Sequence, residues 1–252
     1  RLLNGNNRLY LDTEAFVGDF HKAEAALIFN SGYDANIGFF SSVPQRGDVI
    51  LYDELVHASI RDGIKMSNAK AYKFKHDDLE ELQKRLKKIT DKTIKGEGNV
   101  IYIVTESVFS MDGDIPNLQA LANMAEVHDC FLVIDEAHAL GIFGDGGEGL
   151  VQQEGLQNKV FARINTFGKA MGCHGAAVLG SYQLKEYLVN FARSFIYTTA
   201  LPPHSVAGIL SAYQFLQTSE VQERQIINLR KNISLFKAEI PNYKLEKYFI
   251  PS

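Results

Sequence analysis

The chain has 252 residues, 46% hydrophobic and 22% charged, an ordinary globular composition long enough for one large core or a large domain with a small one. A formal net charge of -4 and a pI near 6.0 leave no basic footprint, so no nucleic acid is expected as a partner. Cys130 and Cys173 form no C-x-x-C pair and fit a reducing cytoplasm; no secretory leader and no apolar run of roughly 18 residues is seen, so no membrane span is expected.

The opening Arg1-Leu2-Leu3-Asn4-Gly5 reads as mid-chain, and Tyr248-Phe249-Ile250-Pro251-Ser252 as the start of a strand, so a fragment is expected, lacking N- and C-terminal parts. Strands are expected at Ala26–Asn30, Asp48–Tyr52 and Ala71–Phe74, with a helix from Asp34 onwards and another over Asp77–Lys88. Next come a strand at Val100–Thr105, a helix over Leu118–His128, and strands at Phe131–Asp135, Val160–Asn165 and Ala176–Gly180. Helices over Leu184–Ala192 and Ser219–Glu239 follow, the second carrying Leu229, Ile233 and Phe236 at helical spacing. This alternation predicts an α/β fold, a mostly parallel seven-stranded sheet with helices on both faces. Residues 1–218 are expected to form the large domain, and 219–252 a linking helix and the start of an incomplete C-terminal domain.

Four short stretches carry candidate chemistry. Phe131–Asp135 ends on a carboxylate, in Asp135-Glu136-Ala137-His138, and ligands of open α/β sheets gather beyond the carboxyl ends of strands. Those four letters also occur in helicases, but Gly168-Lys169 is followed by Ala170 and preceded by Arg163 where a phosphate loop needs glycine. A metal reading lacks any H-E-x-x-H or cysteine cluster. Lys169, in Asn165-Thr166-Phe167-Gly168-Lys169-Ala170, follows an apolar strand among small residues that admit a planar ligand. A lone lysine is ordinarily a solvated charge; in an enclosed pocket its pKa falls and it can form an imine. Asn30-Ser31-Gly32-Tyr33 lies at a strand–helix junction whose free N–H groups suit a phosphate. His57, in His57-Ala58-Ser59, proves nothing alone.

Taken together, Ser31-Gly32-Tyr33-x-Ala35-Asn36, His57-Ala58-Ser59, Glu106-Ser107-Val108-Phe109-Ser110-Met111-Asp112-Gly113-Asp114, Asp135–His138 and Thr166-Phe167-Gly168-Lys169 resemble the α-oxoamine synthases, pyridoxal-phosphate (PLP) enzymes of fold type I. The resemblance implies that Lys169 carries PLP through a Schiff base and later serves as acid–base, and that Asp135 faces the pyridinium nitrogen. It implies that His57 stacks on the ring, that His138 and Ser110 reach the ring oxygen or hold the cofactor, and that Thr166, Gly32 and Tyr33 cradle the phosphate. Thr198 and Thr199 match a stretch meeting the cofactor of a neighbouring subunit, which implies a homodimer with a shared active site. The implied acyltransferase reaction condenses an amino acid with an acyl thioester, releasing CO2. Tyr197–Pro203 looks most like the cytoplasmic branch that makes 8-amino-7-oxononanoate for biotin from L-alanine and a pimeloyl thioester. The branch joining serine to a long-chain acyl-CoA is the rival, and an aminotransferase, a lyase or an inactive partner subunit on the same fold is disfavoured by Ser107–Asp114 and by Lys169 itself. Lys84–Asn99 looks like a surface insertion relative to that family, and Cys173-His174 stands where smaller residues are usual.

Overall fold

A computed structural model describes residues 6–90, 99–218, 220 and 224–239. Its strands are β1 (Ala25–Phe29), β2 (Val49–Asp53), β3 (Lys70–Phe74), β4 (Ile101–Glu106), β5 (Phe131–Asp135), β6 (Ala162–Thr166) and β7 (Ala176–Gly180). All seven fall within two residues of their expected spans; except in the edge strand β3, exposed at four of its five residues, a short apolar run suits a pleated surface buried on both sides. They make one sheet in the order β1-β7-β6-β5-β4-β2-β3. Pairing is parallel from β3 through to β6, and β7 runs antiparallel to both β6 and β1.

Helices α1 (Arg8–Phe20), α2 (Gly32–Ser42), α3 (Ala58–Met66), α4 (Leu79–Thr90), α5 (Leu118–Val127), α6 (Leu150–Gln153), α7 (Tyr182–Phe191), α8 (Arg193–Ile196), α9 (Pro203–Leu216) and α10 (Ile226–Glu239) cover the sheet. One face is sealed by Phe39, Phe40, Ile60, Leu188 and Phe195 from α2, α3, α7 and α8. On the other face Leu82 and Leu121 from α4 and α5 cover the β5 end, and Val17 and Tyr213 from α1 and α9 cover β1 and β7. The seven-stranded, mostly parallel sheet with helices on both faces is therefore as expected.

Several helices differ from expectation for local reasons. α1, α3 and α9 lie where no helix was expected: Asn7 caps α1 by accepting from Tyr10 N at 3.3 Å, His57 caps α3, and Pro203 opens α9 where its missing N–H costs nothing. Ser181, accepting from Leu184 N at 3.1 Å, starts α7 two residues before the expected Leu184. Lys84–Thr90 of the suspected insertion is the amphipathic tail of α4, with Leu86 buried, while residues 91–98 lie outside the described residues. The long helix expected from Ser219 is described only as a π turn at Arg224 and Gln225 continuing into α10; residues 219, 221–223 and 240–252 lie outside the described residues. Leu229, Ile233 and Phe236 of α10 are exposed. Among the described residues no helix is long and apolar enough to cross a membrane.

Candidate active site

Strand alternation decides which side chains meet. Successive residues of a strand face opposite sides of the sheet, so Val133 packs with α2 and α3 while Leu132 and Ile134 pack with α5. Asp135 shares the parity of Val133 and emerges beside α2. In β6, Ile164 packs on the α2 side, which places Thr166 there too, whereas Arg163 and Asn165 face α1 and α9. β5 and β6 are parallel neighbours, so Asp135 and the Thr166–Lys169 turn leave the sheet side by side at its carboxyl edge.

A cavity of about 420 Å³ opens there, within the range of roughly 300–1,000 Å³ common for small-molecule sites. Gly32, Tyr33, His57, Asp135, His138, Thr166 and Lys169 all line it. Ser110, Thr198 and Thr199 are not among its lining residues. Ser110 sits exposed on the loop closed by Phe109 N donating to Asp114 O at 3.0 Å. Thr198 and Thr199 are tied to Asn30, whose Nδ2 donates to Thr198 Oγ1 at 3.1 Å and Thr199 O at 2.5 Å, one residue before Ser31 on the cavity wall.

The carboxylate of Asp135 is held on both oxygens. Ala137 N donates to Oδ1 and Asn36 Nδ2 to Oδ2, each at 2.9 Å, with the side chain 4% exposed. Lys169 lines the cavity from its exposed rim, its Nζ donating to Thr166 Oγ1 at 3.3 Å; the turn after β6 carries it to the edge of the sheet. His57 is pinned through its backbone N–H, which donates to Glu106 Oε1 at 2.5 Å. Burial, and then the charge of Asp135, push the Glu106 carboxyl up to about 8. Burial, and then the charge of Lys169, lower the His138 pKa.

One part of the cavity wall is formed by the start of α2. Ser31 caps it, accepting from Asp34 N at 3.0 Å, and a helix start presents unpaired N–H groups and the end of the helix dipole that favours an anion. A Cβ at Gly32 would collide with Thr166 Cγ2, so only glycine lets the helix start approach β6 so closely. That backbone cradle, a lysine amine and a buried carboxylate lining the same cavity fit the phosphate, aldehyde and ring nitrogen of PLP. Among the described residues no cluster of metal-ligating side chains forms.

Asn36, Ser59 and Glu106 also line the cavity. Each stands inside a motif quoted above, but its letters alone carried no role. The available signals were the helical spacing of Asn36 from Gly32, and Ser59 two residues after His57. Glu136, next to Asp135, faces the other side of the sheet, where burial pushes it up to about 7 and the Arg163 guanidinium lies 3.9 Å away. Of Cys173-His174, where smaller residues are usual in the family it resembles, Cys173 is half-buried, its Sγ 3.5 Å from Gly208 O, and His174 lines the cavity.

An open α/β sheet with a lysine and a carboxylate facing one cavity at its carboxyl edge, beside a glycine-built anion cradle, defines a PLP-binding transferase domain. The profile of the family "Aminotransferase class I and II" matches residues 4–241. The 8-amino-7-oxononanoate synthase of Emericella nidulans is 44% identical over 233 residues, covering 89% of this chain and 56% of that protein. The serine palmitoyltransferase of Sphingomonas wittichii superposes with a TM-score of 0.87 at 30% identity, covering 95% of this chain and 58% of that one. The 8-amino-7-oxononanoate synthase of Francisella tularensis superposes with a TM-score of 0.77 at 31% identity, covering 95% and 67%. The chain belongs to the aminotransferase class I and II family and, within it, to the PLP-dependent α-oxoamine synthases. It spans little more than half the length of the Emericella relative.

Proposed function

We propose that the chain is the cofactor-binding part of a cytoplasmic enzyme that condenses L-alanine with a pimeloyl thioester, on coenzyme A or a carrier protein, to give 8-amino-7-oxononanoate for biotin. One observation carries the catalytic reading: Lys169 and Asp135 line one cavity at the ends of neighbouring parallel strands. Bound PLP supplies an electron sink for negative charge at the substrate's α-carbon. Lys169 Nζ would hold the cofactor and would take and return the proton at that carbon. Asp135 would face the pyridine nitrogen, where a carboxylate favours the protonated ring. His57 would pack against the ring face, His138 would reach the ring oxygen, and Gly32, Tyr33 and Thr166 would bind the phosphate, with Ser110 on the loop outside that lining. Thr198 and Thr199, beside Asn30 near that cradle, complete the phosphate site of a second copy in a homodimer with a shared active site.

Relatives at 40–44% identity that carry the 8-amino-7-oxononanoate synthase name, some as putative, support the alanine branch. The higher TM-score to serine palmitoyltransferase keeps the serine branch as the second reading. The test adds PLP to the full-length protein and follows a visible absorbance that borohydride abolishes. Lys169→Ala should lose it; retention of the reducible absorbance in that variant refutes the mechanism. The branches separate on spectral titration with alanine and with serine, and a strong preference for serine overturns the biotin assignment.

A further inference from the structure

Between Asp135 and His57 runs a chain of hydrogen bonds with only one consistent direction. Asp135 Oδ2 lies 2.9 Å from the Asn36 side chain, and a carboxylate can only accept, so Asn36 must turn its amide NH2 towards it. The same Nδ2 lies 3.0 Å from Ser59 Oγ, which therefore accepts from Asn36. Ser59 Oγ in turn stands 2.7 Å from His57 Nδ1, and the Ser59 backbone N–H also points at Nδ1, at 3.2 Å. A protonated Nδ1 would face that N–H head on. Nδ1 is thus the acceptor, the Ser59 hydroxyl proton goes to it, and neutral His57 carries its proton on Nε2.

Asn36 and Ser59 are almost wholly buried, at 1% exposure each, and the Asn36 Oδ1 has no hydrogen-bond partner among the described residues. The four residues come from the end of β5, the second turn of α2, and the start of α3. They are separated by 99 residues between Asn36 and Asp135, and by 23 between Asn36 and Ser59. We infer that Asn36 and Ser59 are positioning residues that couple Asp135 to His57: they hold one oxygen of the carboxylate and fix the imidazole as its Nε2–H tautomer, so that the cavity meets a hydrogen-bond donor there. The inference rests on the PLP reading for its purpose, but its geometry stands without the cofactor.

The test labels histidine isotopically in the full-length protein and records long-range proton–nitrogen spectra before and after PLP is added, with His57→Gln assigning the signal. The expected result is an Nε2–H pattern in both states. Ser59→Ala should lower the ratio of Nε2–H to Nδ1–H about fivefold, the equivalent of one net hydrogen bond, and Ser59→Thr should restore it. Asn36→Ala should shift the ratio in the same direction. A wild-type ring protonated on Nδ1, or evenly mixed, overturns the inference, as does a ratio indifferent to Ser59→Ala and Asn36→Ala. Thermal melts check that the variants fold, and the wild-type tautomer decides the matter if they do not. Because the tautomer is read without PLP, its failure is distinct from failure of the PLP reading, which shows as absence of the reducible absorbance.

Discussion

Replacing Gly32 by alanine tests how the phosphate cradle is built. The new Cβ runs into Thr166 Cγ2, while the next atom, Thr166 Cβ, lies at an ordinary 3.5 Å. Thr166 cannot easily yield, since a β-branched side chain is stiff about its first torsion and its Oγ1 accepts from Lys169 at 3.3 Å. Overpacking of this kind costs about 1–3 kcal/mol. Alanine recovers at most about 1 kcal/mol through better helix propensity, so a net loss of about 1–2 kcal/mol is expected. The strain sits at the start of α2, the proposed phosphate site, so the affinity for PLP should fall by about tenfold as well. Thr166→Ser removes the colliding methyl and keeps the hydroxyl. Gly32→Ala should therefore be nearly neutral in the Thr166→Ser background, with a coupling energy of about 1–3 kcal/mol in the double-mutant cycle. Urea unfolding and PLP titration of the four proteins measure both quantities. An equal penalty in the two backgrounds refutes the steric account.

Two further predictions concern pH. Glu106, pushed up to about 8, binds its proton more tightly folded than unfolded. Its contribution to stability is thus fully present below the ordinary carboxylate value of about 4.3 and is lost as pH rises to about 8. Glu106→Gln keeps an acceptor for His57 N–H, and urea unfolding should show that this pH-dependent loss is gone. A separate clamp ties the end of β2 to two loops: His76 Nδ1 meets Asp53 at 3.0 Å and Nε2 meets Asp114 at 2.6 Å. Burial opposes the charge on His76, but the hydrogen bonds and charges of the two aspartates raise its pKa on balance. Its contribution is present below about 6.5 and disappears as pH climbs through the raised value. His76→Gln should therefore lose stability relative to the wild type in mild acid, with the gap closing in alkaline urea titrations; a gap that widens with pH refutes the clamp.

Much of the site was legible in the sequence because its residues sit at strand ends, and strands are written locally. Phe131-Leu132-Val133-Ile134 marks a strand by its own composition, and a carboxylate at its end is placed by the fold class alone. Gly32 and Thr166 were legible as candidates, but not as a steric pair: nothing local connects a helix start to a strand end so far along the chain. Ser110, Thr198 and Thr199 were expected at the cofactor and do not line the cavity of this single chain. α3 escaped notice because its cap is a histidine, a residue that does not announce a helix start.

The amino-acid sequence by itself determined the seven strands and the lysine and aspartate as a candidate pair. Alternation along a strand is a local property, enforced by the pleat. Which strands become neighbours is not local, and only the tertiary structure decided it. The crossovers put β5 beside β6, turned β7 antiparallel, and brought Asn36 to Asp135. The direction of each proton in the Asp135–His57 chain was settled last, because it depends on distances of about 3 Å between residues that the backbone brings together from three separate elements.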